Sequence, residues 1–449
     1  MKSASKRIGL GIGICALASL LGGNAVFADD VVKDAESLWK AAGFQISGTV
    51  LTSYTQNFNN PNTNNNQLRV FDTAANSFMA NMAQLVFERP ANASGSGADR
   101  VGFRARLNFG TDARFSRAET NFQPGTDNTY VDTQELYAEY IAPVGNGLKI
   151  QAGKINTLIG YEVINAWENP NLSRTMMFGL SQAFTTTGIR FTYPFAKWAT
   201  ASIGLVNGWD NVEDNNRGKS FEYLVALTPH EKFGFSVYGS YGPEQSNGNA
   251  AAGTAQLGGC NNGATGCDPS AKRVVVGSII TMKPIDTTTL ILEPYYGNES
   301  NASTTSGSRN GRWNGLVAYL IHDLNDQTKP HAFSLRARGE IWEDAGGSRA
   351  CAGGVNFNGG ANTCAGSGSG SPILNTAPGF PTTVSGNTFA AGGGLTAWGT
   401  TFTLQYKPMP QLQTRIEYRY DHADHNVYLY GTRSTNFQNT LGFSVAYMF

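Results

Sequence analysis

Beyond residue 28, this 449-residue chain has no apolar run near the length, about 18 residues, that a membrane-crossing helix needs. That absence excludes a helical membrane protein. Charge is scarce as well: only 15% of residues are charged, and 33 basic residues are balanced by 33 acidic ones. A nucleic-acid partner calls for a basic stripe, so none is expected. Five histidines leave little for metal chemistry. Their one cluster, His422 and His425 within Asp421-His-Ala-Asp-His, reads as solvated loop rather than a metal site. Neither a Gly-x-Ser-x-Gly elbow nor a Gly-x4-Gly-Lys-Ser/Thr phosphate loop occurs after the leader. No catalytic residue, cofactor or metal is expected.

The chain begins with a leader. Lys2, Lys6 and Arg7 precede the apolar stretch Ile8 to Leu21, and Val26-Phe27-Ala28 then stands before Asp29. This pattern reads as a signal peptide over residues 1–28, cleaved after Ala28, because the apolar run is too short for a membrane anchor. Cys15 lacks the small residues expected before a lipidated cysteine. Losing Lys2, Lys6 and Arg7 and no acid leaves 30 basic against 33 acidic residues. The remaining cysteines form local pairs, Cys260/Cys267 and Cys351/Cys364, as suits an exported protein with intraloop disulfides. Zinc fits them poorly, since no C-x2-C element or histidine is close. Residues 29–43, with Leu38, Trp39 and Ala42 at helical spacing, read as a periplasmic lead-in, either a short helix or an unpaired segment.

The dominant pattern from residue 44 onward is alternation with period two, the mark of strands with one apolar and one polar face. Phe333, Leu335, Ala337, Gly339 and Ile341 alternate with Ser334, Arg336, Arg338 and Glu340. Leu412, Thr414, Ile416, Tyr418 and Tyr420 alternate with Gln413, Arg415, Glu417 and Arg419. Such runs have the length, about 9–11 residues, of tilted strands that cross a bilayer. About 16 are expected. Their cores are 44–54, 78–87, 100–110, 131–142, 148–155, 185–193, 198–207 and 221–228 in the first half. In the second half they are 233–241, 272–283, 288–297, 312–322, 332–342, 395–407, 412–421 and 440–449. Connections after even-numbered strands are mostly short and start at proline: Pro143, Pro194, Pro229, Pro284 and Pro408. Connections after odd-numbered strands are mostly long and rich in Asn, Gly, Ser and Thr. The fold class this implies is all-β: a transmembrane antiparallel barrel over 44–449 with short periplasmic turns and long extracellular loops, in a bacterial outer membrane. Both cysteine pairs fall in long outer loops.

On such a wall the charges must face the lumen, because one on the lipid face costs about 2–4 kcal/mol at midplane. The expected pore lining is therefore Arg104, Arg106, Glu135, Glu139, Lys149, Arg190, Arg336, Arg338, Glu340, Arg415, Glu417 and Arg419, joined by Glu222, Arg273, Glu293 and Asp421. A 16-stranded wall leaves a watery channel. The connection from Asn156 to Phe184 mixes Leu158, Ile159, Ile164, Met176, Met177 and Leu180 with Glu162, Glu168 and Arg174. That composition is too apolar for a solvated loop, so it is expected to fold inward as a constriction. The wall arginines, four of them in the adjacent inward pairs Arg104/Arg106 and Arg336/Arg338, imply a mild preference for anions.

The final strand alternates Leu441, Phe443, Val445, Tyr447 and terminal Phe449, which resembles the sorting signal read by the barrel-assembly machinery. From Thr133 to Gly242 the chain resembles the OmpL-like β-barrel porin family. The carrying residues are Gln134-Glu135-Leu136-Tyr137, Gly153-Lys154, Gly160-Tyr161-Glu162, Asn171-Leu172-Ser173-Arg174 and Asn207-Gly208-Trp209-Asp210, with Glu417-Tyr418-Arg419-Tyr420-Asp421-His422 near the end. The resemblance covers roughly a third of the chain at motif level, and insertions at 242–271 and 343–394 depart from it. It implies a passive diffusion channel for small hydrophilic solutes or ions. The partners expected are outer-membrane lipid, lipopolysaccharide, small polar solutes and a homo-oligomeric neighbour. The competing reading is a surface adhesin or receptor using the long disulfide-bearing loops.

Cys260–Cys267 and Cys351–Cys364 are expected to be closed disulfides lying outside the barrel. Peptide mass spectrometry of unreduced protein should recover both linked pairs, and reduction should leave the barrel's melting unchanged. Free thiols at all four positions would reject the pairing.

Overall fold

The computed structural model describes residues 42–118, 130–245, 270–300, 310–345, 349 and 395–449. The expected leader, most of the lead-in, and Cys260, Cys267, Cys351 and Cys364 lie outside the described residues. A closed antiparallel barrel is built from 16 strands. The first half is β1 (Gln45–Asn57), β2 (Ser77–Arg89), β3 (Val101–Phe109), β4 (Val131–Ala142), β5 (Leu148–Asn156), β6 (Thr185–Ala196), β7 (Ala199–Val206) and β8 (Ser220–His230). The second is β9 (Phe233–Pro243), β10 (Lys272–Ile285), β11 (Thr288–Glu299), β12 (Gly311–Asp323), β13 (Ala332–Asp344), β14 (Leu395–Met409), β15 (Leu412–Ala423) and β18 (Phe437–Met448). Between the last two lies a small separate hairpin, β16 (Tyr428–Tyr430) with β17 (Arg433–Thr435). The alternation did not reveal that hairpin, because three-residue strands are too short to show a period. Two short helices, α1 (Ala113–Ser116) and α2 (Met176–Ser181), lie in the connections.

Burial follows the alternation. On β13, Leu335 and Ile341 are exposed to the outside while Ser334, Arg338, Glu340 and Trp342 are buried inside. On β14 Phe402 is 59% exposed while its neighbours Thr401 and Thr403 are buried. The outer wall is thus apolar and carries paired rings. Phe333 and Tyr406 stack with centroids 4.5 Å apart at the periplasmic end, and Trp398 stacks on His422 at 4.5 Å toward the outer end. His422 accordingly sits in a strand against an aromatic ring, not in a solvated loop.

Four of the short turns are tighter than the prolines suggested. The strands run through Pro194, Pro229, Pro284 and Pro408, leaving two-residue turns after them. The register shifts at or beside each of these prolines, between Pro194/Ala196, Leu227/His230, Met282/Ile285 and Tyr406/Met409. Proline has no N–H for the ladder, so a bulge is where a strand accommodates it. The barrel closes where β1 meets β18. Phe449 N–H donates to the Gly48 carbonyl at 2.9 Å, and Gly48 N–H to the Phe449 carbonyl at 3.0 Å. A Cβ on Gly48 would lie 2.4 Å from the Phe449 ring, so the terminal ring needs glycine beneath it.

Candidate functional site

The connection 157–184 leaves β5, crosses the lumen and docks on β11–β15, on the far side of the ring from β5 and β6. A backbone that leaves the sheet loses its ladder partners, and buried N–H and C=O groups need others. The wall supplies them. Glu417 accepts the N–H groups of Leu172 at 2.6 Å and Ser173 at 2.9 Å. Glu340 accepts Met176 N–H at 2.8 Å, and Glu293 accepts Tyr161 N–H at 3.1 Å. Arg415 donates to the carbonyls of Ala166 at 2.8 Å and Asn169 at 2.6 Å, and Arg338 donates to that of Ser173 at 2.5 Å. Arg336 donates to Pro170 at 3.1 Å, and Arg419 also reaches the Arg174 carbonyl at 2.5 Å.

Ion pairs add to this grip. Arg338 meets Glu162 at 2.9 Å, both nearly fully buried, and Arg419 meets Glu340 at 2.9 Å. Glu162 also caps the start of α2 by accepting from Thr175 N–H at 2.7 Å and its hydroxyl at 2.9 Å. The expected anion-attracting arginines Arg338, Arg415 and Arg419 are thus committed to the crossing segment, while Arg336 gives it one nitrogen. Of the segment's own charges, Glu162 and Arg174 are buried, and Arg174 faces Asp112 at 3.4 Å. Glu168 is exposed and accepts from Asn165 at 2.7 Å.

Apolar packing fills the space above. Phe178 and Phe184 lie 5.0 Å apart, and Phe71 touches both at 6.0 and 5.5 Å. Phe115 within α1 lies 5.6 Å from Phe71. Phe71 belongs to the first outer connection, which sequence reasoning had left outside with its asparagines. The run Leu68-Arg69-Val70-Phe71 was the available signal. Arg69 ties it inward by pairing with Asp421 at 2.6 Å. The expectation is a watery channel narrowed by the crossing connection. Instead, on the outer half of the wall, inward residues such as Asn57, Asn108, Ser220, Trp313, Trp342, Ala397 and Thr440 are covered by other parts of the chain.

In the periplasmic half some inward residues keep part of their surface, among them Arg104, Lys149, Leu224, Ile279 and Ile321, while others such as Ser334, Gln405 and Ala446 are covered. Along β2–β5 run cross-strand ion pairs: Arg104–Glu88 at 2.5 Å, Arg106–Glu135 at 3.2 Å and Lys149–Glu139 at 2.8 Å. Arg190 pairs with Glu222 at 2.8 Å higher in the wall, and Arg273 with Glu299 at 2.8 Å. Two acids in the connections have raised pKa values. Asp210 accepts the Phe184 and Thr185 N–H groups at 2.8 and 2.9 Å, and burial pushes it up to about 6. Burial likewise pushes Asp112 up to about 6, against the opposing pull of Arg174. Their favourable contribution is full below about pH 3.8 and is lost as pH rises through about 6. Among the described residues no group of three or more His, Cys, Asp or Glu could hold a metal.

A barrel whose lumen is crossed by its own third outer connection is a channel architecture. Residues 43–449 match the family described as "Putative beta-barrel porin-2, OmpL-like". The chain belongs to this porin family. It is an outer-membrane porin channel. Solved structures with the same fold include OprB of Pseudomonas putida, 9% identical, covering 92% of this chain and 96% of that one with a TM-score of 0.52. An anion-selective porin from Comamonas acidovorans is 8% identical, with 90% and 99% coverage and a TM-score of 0.52. The trimer form of Vibrio cholerae OmpT is 10% identical, with 90% and 99% coverage and a TM-score of 0.50. Among curated proteins none matches the sequence significantly.

The porin's crossing segment should loosen when one buried partner is removed, which costs about 3–5 kcal/mol for an ion pair of this kind. Arg338→Ala should expose the segment to protease at Met176–Ser181 and enlarge single-channel conductance. Unchanged cleavage and conductance would show that the pair does not hold the segment.

Proposed function

We propose that the porin passes small hydrophilic solutes and ions by passive diffusion, with 157–184 as its constriction. The observation that carries this is the docking of that segment across the lumen on Glu293, Arg338, Glu340, Arg415 and Glu417. Its backbone is held on both signs of charge, so it serves as a fixed sieve and not a loose plug. The pore lining below it is then the paired wall of Glu88, Arg104, Glu139 and Lys149, with Arg336 opposite. Because the charges of β2–β5 are neutralised in place, discrimination between small inorganic cations and anions is weak, and their passage is limited chiefly by size. The leader 1–28 and the terminal Phe449 fit export and assembly into the outer membrane by the barrel-assembly machinery. Family and fold both favour a channel over an enzyme or a surface adhesin.

In planar bilayers the purified protein should give discrete conductance steps in KCl. Proteoliposomes should swell in small sugars and amino acids at rates that fall steeply with solute size. Absence of both steps and swelling would reject the channel reading.

A further inference from the structure

The unfilled periplasmic half of the lumen has two unlike sides. Opposite the ion-paired wall of β2–β5, inward positions of β8–β12 carry apolar side chains, with Ser236 and Thr281 between them. Leu224, Ile279 and Ile321 point inward and stay partly exposed, and Tyr161 of the crossing segment joins them, its ring 5.0 Å from that of Tyr319. The register makes this one strip. Ser236 faces Ile279 across β9–β10, Thr281 faces Ile291 across β10–β11, and Ile291 faces Tyr319 across β11–β12. Apolar surface left facing water in a lumen is unfavourable in proportion to its area. A wall that served only hydrated ions would gain nothing from it.

The strip ends at cations. Ile321 is the register partner of Arg336 on β13. Lys407 on β14 also faces inward and is partly exposed, opposite Ala332 on the same strand as Arg336. Among the described residues neither makes an ion pair. Asp323 on β12 is partly exposed, and Glu168 of the crossing segment is exposed. On the facing wall the basic heads are the more exposed members of their pairs. The Lys149 side chain is 37% exposed against 8% for Glu139, and Arg104 is 30% exposed against 18% for Glu88.

We propose that this vestibule selects small amphipathic organic anions, namely monocarboxylates with an apolar tail, seating the carboxylate at Arg336 and Lys407 and the tail along Leu224, Ile279 and Ile321. The proposal rests on the channel reading above and names its solute class. A sugar has no tail for the strip, and chloride has none either. A carboxylate with too short a tail gains only the charge contact.

Purified full-length porin in planar bilayers gives the test, with sodium acetate, butyrate or hexanoate added while chloride current is recorded. The half-blocking concentration should fall about ten-fold or more from acetate to hexanoate, as transfer of methylenes onto apolar surface requires. Ile279→Ser combined with Ile321→Ser should level the series, whereas Lys407→Gln should weaken all three acids together. Equal block by the three acids on the unaltered porin overturns the proposal and leaves the channel reading standing. Absence of chloride current in the unaltered porin overturns both.

Discussion

The structure depends on a single exchange of hydrogen bonds, in which wall side chains replace the sheet partners that the crossing segment gives up. Residues 157–184 run through the interior of a barrel, where unpaired backbone groups are costly. Arg415 collects carbonyls from Ala166 and Asn169, and Glu417 collects the N–H groups of Leu172 and Ser173. These two residues are inward neighbours on one strand, so period-two alternation places opposite charges where the segment's two kinds of backbone group arrive. Arg338 and Glu340 repeat the arrangement one strand beyond β14. Buried charges of this kind owe their place to hydrogen bonds and to each other, and removing either partner leaves the other exposed to the full cost of desolvation.

From that anchoring the division of the lumen follows. Once the segment is fixed, Phe178 and Phe184 present an apolar upper face, and the first and second outer connections lay Phe71 and Phe115 on it. The outer half of the barrel thereby acquires a core like that of a soluble domain. The periplasmic half keeps water-facing side chains, ion-paired on β2–β5 and apolar on β8–β12. The charges of β13 and β15 hold a loop, and the inward side chains left partly exposed lie lower down.

Much of this was legible in the sequence, for a physical reason. A bilayer admits only helices or strands closed into a ring, and without an apolar run long enough for a helix, sixteen strands, their order and their inward faces could be read from residues such as Arg336 and Leu335. The apolar residues between Asn156 and Phe184 marked that connection as something other than a solvated loop. The destination of the inward arginines was not legible. Alternation says that Arg338 and Arg415 point inward, and it is silent on whether water, a carboxylate or a carbonyl meets them. Leu68, Val70 and Phe71 were overlooked because the asparagines around them dominated the local composition. Of the five prolines read as turn openers, Pro143 opens its turn, and the other four lie inside the strand ends at or beside shifts of register.

The account stands on the crossing segment lying against the far wall in the membrane. Asn171 donates to the Thr403 hydroxyl at 2.8 Å, which makes that pair its most direct probe. Asn171→Cys with Thr403→Cys, in a chain whose native loop cysteines are serine, should cross-link in intact outer membranes with a short bifunctional thiol reagent. The product would be a peptide joining the segment to β14. The register pair Phe402→Cys with Tyr418→Cys on adjacent strands serves as the control. Linkage of the control pair without linkage of 171 to 403 would contradict the account, because the segment would then not be held where the wall charges are arranged to receive it.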